Sequence, residues 1–140
     1  MAEHTPFPVQ VLTPEGELFS REVQMISTRT TVGSIGLLAN HEPLLATLEP
    51  TELRLYVTES EVVRFAQSEG YMQVAANRAL LLLQEAHEPG ALDVAQLRDR
   101  LAEAERELEH AAEDSERRRT AAREQRRLTV FLRIAEAAQH

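Results

Sequence analysis

Residues 79–104 read ALLLLQEAHEPGALDVAQLRDRLAEA, and the chain changes character within that run. Before the break, residues 79–83 form a short unbroken apolar run of strand length. After it, Leu97, Leu101 and Ala104 recur at spacings of four and three, the period of a helix. Glu88-Pro89-Gly90 separates the two textures, and neither Gly nor Pro occurs beyond it. The break predicts two domains, residues 1–88 and residues 89–140.

Upstream, the chain alternates in short segments divided by turn residues. Phe7, Val9 and Val11 alternate before Thr13-Pro14-Glu15-Gly16, where proline presets one turn angle and glycine supplies another. Val23 and Met25 continue the alternation, and a glycine-containing stretch over residues 33–40 reads as a glycine-rich hairpin. Residues 44–48 follow, then a turn at Glu49-Pro50-Thr51, then Leu53, Leu55 and Val57 at period two. Val63 and Phe65, a turn at Ser68-Glu69-Gly70, Met72 and Val74, an Ala76-Asn77 turn and the run 79–83 complete about eight to ten strands. The expectation is an antiparallel β-sandwich.

Downstream, Asp93 stands where a helix N-cap belongs. One apolar stripe runs through Leu97, Leu101, Ala104, Leu108 and Ala111; a second runs through Ala121, Leu128, Phe131 or Leu132, Ala135 and Ala138. Glu113-Asp114-Ser115 is the expected connection, so the tail reads as an antiparallel two-helix hairpin. Residues 93–113 hold seven acids and three arginines, and residues 116–138 hold seven arginines and three acids. Opposite signs favour the antiparallel pairing. Exposed pairs are worth about 0.2–1 kcal/mol each, against about 1.5–3 kcal/mol for a fully buried leucine, so the leucines supply most of the hold. With alanine in much of the seam, the hairpin is expected to be a movable element.

Composition excludes several chemistries. Cysteine is absent, which removes disulfides, thiolate ligands and a cysteine nucleophile. All fifteen basic residues are arginine, a bias consistent with high-GC coding. The net charge is −8, with five arginines against twelve acids in residues 1–88 and ten against eleven in residues 89–140. That acidity argues against nucleic-acid binding by the Arg-rich second helix. No run approaches a membrane span, and the start of the chain lacks a basic region followed by an apolar one. No nucleophile motif, metal-ligand cluster or phosphate-cradling glycine loop appears, so the residues suggest a binding protein rather than an enzyme.

Three segments resemble the epsilon subunits of bacterial F-type ATP synthases: VLTPEG at residues 11–16, GSIGLLANHEPLL at residues 33–45, and GYMQV at residues 70–74 with Asn77. The middle segment is the most specific, with two glycines, apolar residues, then histidine, a variable residue, proline and leucines. The resemblance implies a ten-stranded sandwich bound to the rotating gamma subunit and seated on the c-subunit ring, followed by a two-helix regulatory domain. It implies a non-catalytic part of the central stalk, coupling proton translocation to ATP synthesis by the alpha and beta subunits. Its helices would inhibit ATP hydrolysis. It also implies a peripheral location on the cytoplasmic side of the bacterial cell membrane, touching the membrane only through the c ring.

Carried onto this chain, the resemblance gives His41, Pro43 and Leu44 as gamma contacts and Thr31, Val32, Gly33 and Ser34 as c-ring contacts. His41 has no second histidine at metal-ligand spacing, so it implies contact and no metal site. Arg117, Arg118, Arg119, Arg123, Arg126 and Arg127 would meet acidic surfaces of beta and gamma when the hairpin opens; when closed, the first helix would neutralise them. Some members bind ATP between the helices. Here Leu92, Asp93, Arg123 and Arg127 fit that pattern, but Gln96 and Leu97 stand where an arginine and an alanine belong, and Asp93 serves equally as an N-cap. No cofactor is expected, with ATP the one regulatory ligand suggested. The same periodicities would also serve a stand-alone interaction module of another complex.

Overall fold

The computed structural model describes residues 4–139, and the chain divides into two compact units, one ending at His87 and the other beginning at Glu88. The first unit is a ten-stranded sheet folded on itself. Its strands are β1 (Phe7–Thr13), β2 (Gly16–Val23), β3 (Met25–Thr30), β4 (Gly33–Leu37), β5 (Leu44–Leu48), β6 (Thr51–Tyr56), β7 (Val62–Gln67), β8 (Gly70–Ala75), β9 (Arg78–Leu83) and β10 (Ala86–His87). Hydrogen-bonded order runs β10-β7-β6-β3-β5-β8-β9-β1-β2, with β4 on β3.

Alternation places the core as the sequence suggests. Phe7, Val9 and Val11 of β1 are buried together with Leu53 and Leu55 of β6, Met72 and Val74 of β8, and Leu81 and Leu83 of β9. Phe19 and Phe65 meet edge to face, with centroids 6.5 Å apart at 81°. Each fully buried aliphatic side chain contributes about 1.5–3 kcal/mol, which makes this cluster the dominant stabilising term of the unit.

The glycine-containing stretch forms a hairpin: β4 pairs with β3 from Ile26↔Leu37 to Thr30↔Gly33, and its Leu37 reaches the core. Two features differ from the expectation. Strands β1 and β9 are parallel, Val9 opposite Ala79. Most of the unit lies between them in sequence, so no tight hairpin forces an antiparallel pairing. Val23 and Met25 belong to different strands, with Gln24 between them donating its backbone N–H to the Tyr56 carbonyl at 2.7 Å.

The second unit starts with a 3₁₀ turn at Pro89–Ala91, then α1 (Val94–His110) and α2 (Glu116–Ala138). Asp93 caps α1, its carboxylate accepting from the Gln96 N–H at 3.2 Å, and Ser115 caps α2 through the Arg118 N–H at 3.1 Å. Asp114 takes φ 61°, which turns the chain between the helices. Leu97 and Ala104 of α1 and Ala121, Leu128, Phe131 and Ala135 of α2 are buried. Phe131 rather than Leu132 fills the seam, and Ala138, expected on the stripe, is exposed beside the end of the helix.

Candidate functional site

The tip of the β3–β4 hairpin is a two-residue turn, Thr31-Val32, held from both sides. Buried Thr30 donates its hydroxyl to the Gly33 carbonyl at 3.1 Å and accepts from the Val32 N–H at 3.2 Å, while the Thr31 N–H reaches the Thr47 carbonyl at 3.0 Å. Gly33, at φ 132°, takes a conformation closed to other residues. The rigid tip thus presents Val32, 96% exposed, with Thr31 and Ser34 beside it and no charge among the four tip residues.

From β4 the chain enters a loop through Asn40 at φ 64°. The Asn40 N–H donates to Asn77 Oδ1, 2.7 Å away, in the turn between β8 and β9. His41 Nδ1 lies 2.7 Å from the Glu42 carbonyl, so that nitrogen carries the proton and Nε2 is left for other contacts. His41 and Pro43 are exposed, as a contact role requires, but Leu44 is partly buried and packs against the core. The residue facing outward is the next one, Leu45, at 75% exposure.

Leu45 belongs to a strip that sequence reasoning missed. Register sets Leu45 opposite Gln73 and Gln73 opposite Leu80; one pair along, Thr47 faces Tyr71 and Tyr71 faces Leu82. Tyr71 is 58% and Leu82 44% exposed, and both line a shallow groove with Leu12, Pro14 and Gly70. The signal for this strip was present in residues 79–83: an apolar run without alternation is what a strand covered on both faces looks like.

In the helical unit the arginines are placed differently from expectation. Arg117 reaches an acid of α1, Glu107. Arg118 donates to the Leu108 carbonyl at 2.6 Å and so satisfies the end of α1. Arg119 and Arg123 turn to Glu116 of their own helix, at 2.9 and 3.8 Å, and Arg127 lies 3.7 Å from Glu124. The other ion pairs joining α1 to α2, Arg98–Glu136 at 3.0 Å and Arg100–Glu124 at 2.8 Å, run in the opposite sense, with the arginine on the acidic helix. The Arg119–Glu116 and Arg127–Glu124 pairs are i,i+3 neighbours, which need less side-chain ordering than a partner on the other helix. The Arg119 hydrogen bond holds the Glu116 carboxyl below the usual glutamate range, and the Glu52 carboxylate beside Arg54 raises that guanidinium. Arg126 is exposed.

Of Leu92, Asp93, Arg123 and Arg127, the first two stand just before α1, and Arg123 lies farther along the hairpin. The Arg98–Glu136 pair sets the start of α1 beside the end of α2, whereas Arg100–Glu124 sets the Arg123 turn beside a position seven residues beyond Asp93. That separation is about 10 Å along the helix axis. The Asp93 carboxylate is engaged as a cap, and the Arg127 side chain is only 16% exposed. Among the described residues no group of three or more His, Cys, Asp or Glu could hold a metal ion, and no helix is long and apolar enough to cross a membrane.

These features define a two-part protein, a β-sandwich followed by a helical hairpin, whose candidate sites are exposed surfaces. Residues 6–89 match the family described as ATP synthase, Delta/Epsilon chain, beta-sandwich domain. The chain is 34% identical over 133 residues to the ATP synthase epsilon chain of Herpetosiphon aurantiacus, covering 93% of this chain and 94% of that one. With the epsilon chain of Dichelobacter nodosus it shares 35% identity over 102 residues, 73% of this chain and 71% of the other. The fold recurs in a chain of the Euglena gracilis mitochondrial ATP synthase, with a TM-score of 0.74 at 22% identity, spanning 100% of this chain and 85% of that one. This chain belongs to the ATP synthase epsilon-chain family.

Proposed function

We propose that this chain is a non-catalytic subunit of the ATP synthase central stalk, docking through its sandwich and regulating through its hairpin. The observation that carries the reading is the exposed strip Leu45, Tyr71 and Leu82, adjoining the His41-Pro43 loop on the β5–β8–β9 face. Apolar side chains gathered on one face of a water-exposed sheet favour burial against a partner. In this reading the gamma subunit is the partner of that face and the c-subunit ring the partner of the uncharged tip at Thr31, Val32, Gly33 and Ser34, and membership of the epsilon-chain family supports both assignments.

The hairpin supports a regulatory role by its modest closure. The two helices are joined by few large apolar side chains and by exposed ion pairs of small individual worth. An opened hairpin would offer Arg117, Arg118, Arg119, Arg123, Arg126 and Arg127 to acidic surfaces of the beta and gamma subunits and so restrain ATP hydrolysis. In this reading the chain sits peripherally on the cytoplasmic side of the membrane, and the complex couples proton translocation to synthesis. A regulatory ATP at Leu92, Asp93, Arg123 and Arg127 would need Asp93 to leave its cap; calorimetric titration tests it, and the absence of heat would remove it.

Truncation after Glu88, assayed in the reconstituted complex, tests the main proposal. The shortened chain should still co-purify with gamma while ATP hydrolysis rises. Loss of co-purification would refute docking by the sandwich, and unchanged hydrolysis would refute regulation by the hairpin.

A further inference from the structure

The loop carrying His41 is fastened by a residue 37 positions away. Asn77, in the turn between β8 and β9, accepts the Asn40 N–H on its Oδ1 at 2.7 Å. The backbone on both sides is unusual: Asn40 has φ 64°, and Ala76 and Asn77 have φ 51° and 58°. Two successive left-handed residues make the tight turn that strand twist favours, and they aim the Asn77 side chain back across the sheet. Strand register brings the two segments together, because Leu44, the first residue of β5, pairs with Val74 near the end of β8, and Val74 pairs with Ala79.

Asn40 itself sits in the left-handed region, which asparagine adopts more readily than other non-glycine residues but which still needs the surroundings to hold it. The bond from its own N–H supplies that hold one residue before His41. The contact of His41 Nδ1 with the Glu42 carbonyl is local. The Asn40–Asn77 bond is a long-range restraint on where His41 and Pro43 stand.

We infer that Asn77 is a positioning residue: it pre-orders the 40–43 loop, with the strip beside it, for docking to the rotor partner. The inference rests on the docking role proposed above. A loop that is already ordered loses less conformational freedom on binding, so removing the restraint should weaken association without unfolding the sandwich.

Asn77→Gly and Asn77→Asp separate this role from a merely structural one. Glycine adopts the turn's positive φ but removes the acceptor; aspartate tolerates the same conformation and keeps an acceptor oxygen. In the full-length chain, the Asn40 amide should exchange with solvent faster in Asn77→Gly and at the original rate in Asn77→Asp. The affinity for purified gamma should fall about tenfold in the first and return to within about twofold in the second. Unchanged gamma affinity in Asn77→Gly, or equal loss in both variants with unaltered Asn40 exchange, would overturn the inference. If the unmodified chain fails to bind gamma, the docking reading falls instead, and Asn40 exchange still decides whether Asn77 restrains the loop.

Discussion

Gly70 presses against Leu82 so closely that a Cβ on Gly70 would meet the Leu82 carbonyl oxygen at 2.1 Å and the Leu83 Cα at 2.9 Å. Both obstacles are backbone atoms of the neighbouring strand β9, where Gly70 pairs with Leu83, so no side-chain rotation relieves the clash. Gly70→Ala must push β8 and β9 apart next to the buried Leu81 and Leu83. The expected loss is about 3 kcal/mol or more, read as a fall in the chemical-denaturation midpoint of the sandwich.

Gln67 is fully buried and fully engaged: it accepts the Thr28 hydroxyl at 2.6 Å and donates to the Glu49 carbonyl at 2.8 Å. Gln67→Leu strands both partners and should cost about 2–3 kcal/mol. Adding Thr28→Val to that variant removes one stranded group, so the double variant should lose less than the sum of the singles. A double-mutant cycle on equilibrium unfolding measures the coupling.

Much of this architecture is legible in the sequence because burial and period coincide. Val9 and Val11, Leu53 and Leu55, and Met72 and Val74 alternate and are buried. Asp93 also caps its helix as its place before the apolar stripe suggests. The misses have physical causes. The strip at Leu45, Tyr71 and Leu82 stayed hidden because an apolar residue in a strand reads as core, and only the register tells which face it takes. Arg119, Arg123 and Arg127 of α2 meet acids of their own helix because a net charge per helix does not specify which pairs form.

Glu116 provides a titration test of that local pairing. The Arg119 hydrogen bond first, and its charge second, depress the Glu116 carboxyl. A depressed folded value means that the interaction is intact above the unfolded value and is lost as pH falls through the folded one. Carboxyl-detected NMR should therefore find the Glu116 midpoint below the ordinary glutamate range. Arg119→Gln should return it towards that range, and no movement would show that the pair is not formed in solution.

Ser115 fixes where α2 begins, through its hydroxyl and the Arg118 N–H at 3.1 Å. Ser115→Ala should destabilise the hairpin by about 1 kcal/mol, whereas Ser115→Asp should retain the cap. Amide exchange in the first turn of α2 is the local readout, and it should rise in the alanine variant alone.

Leu45 and Tyr71 decide whether the exposed strip is a docking surface or incidental apolar area. Both point away from the core, and threonine, a β-branched residue, suits an exposed strand position, so Leu45→Thr and Tyr71→Thr should each shift folding stability by no more than about 0.5 kcal/mol. At an interface the same changes remove large apolar contacts, and each should weaken binding to gamma by about tenfold or more. Thermal melts and binding titrations on the same preparations separate the two effects. Variants that melt normally and bind normally would leave the strip without a role in docking and move the interface elsewhere on the sandwich.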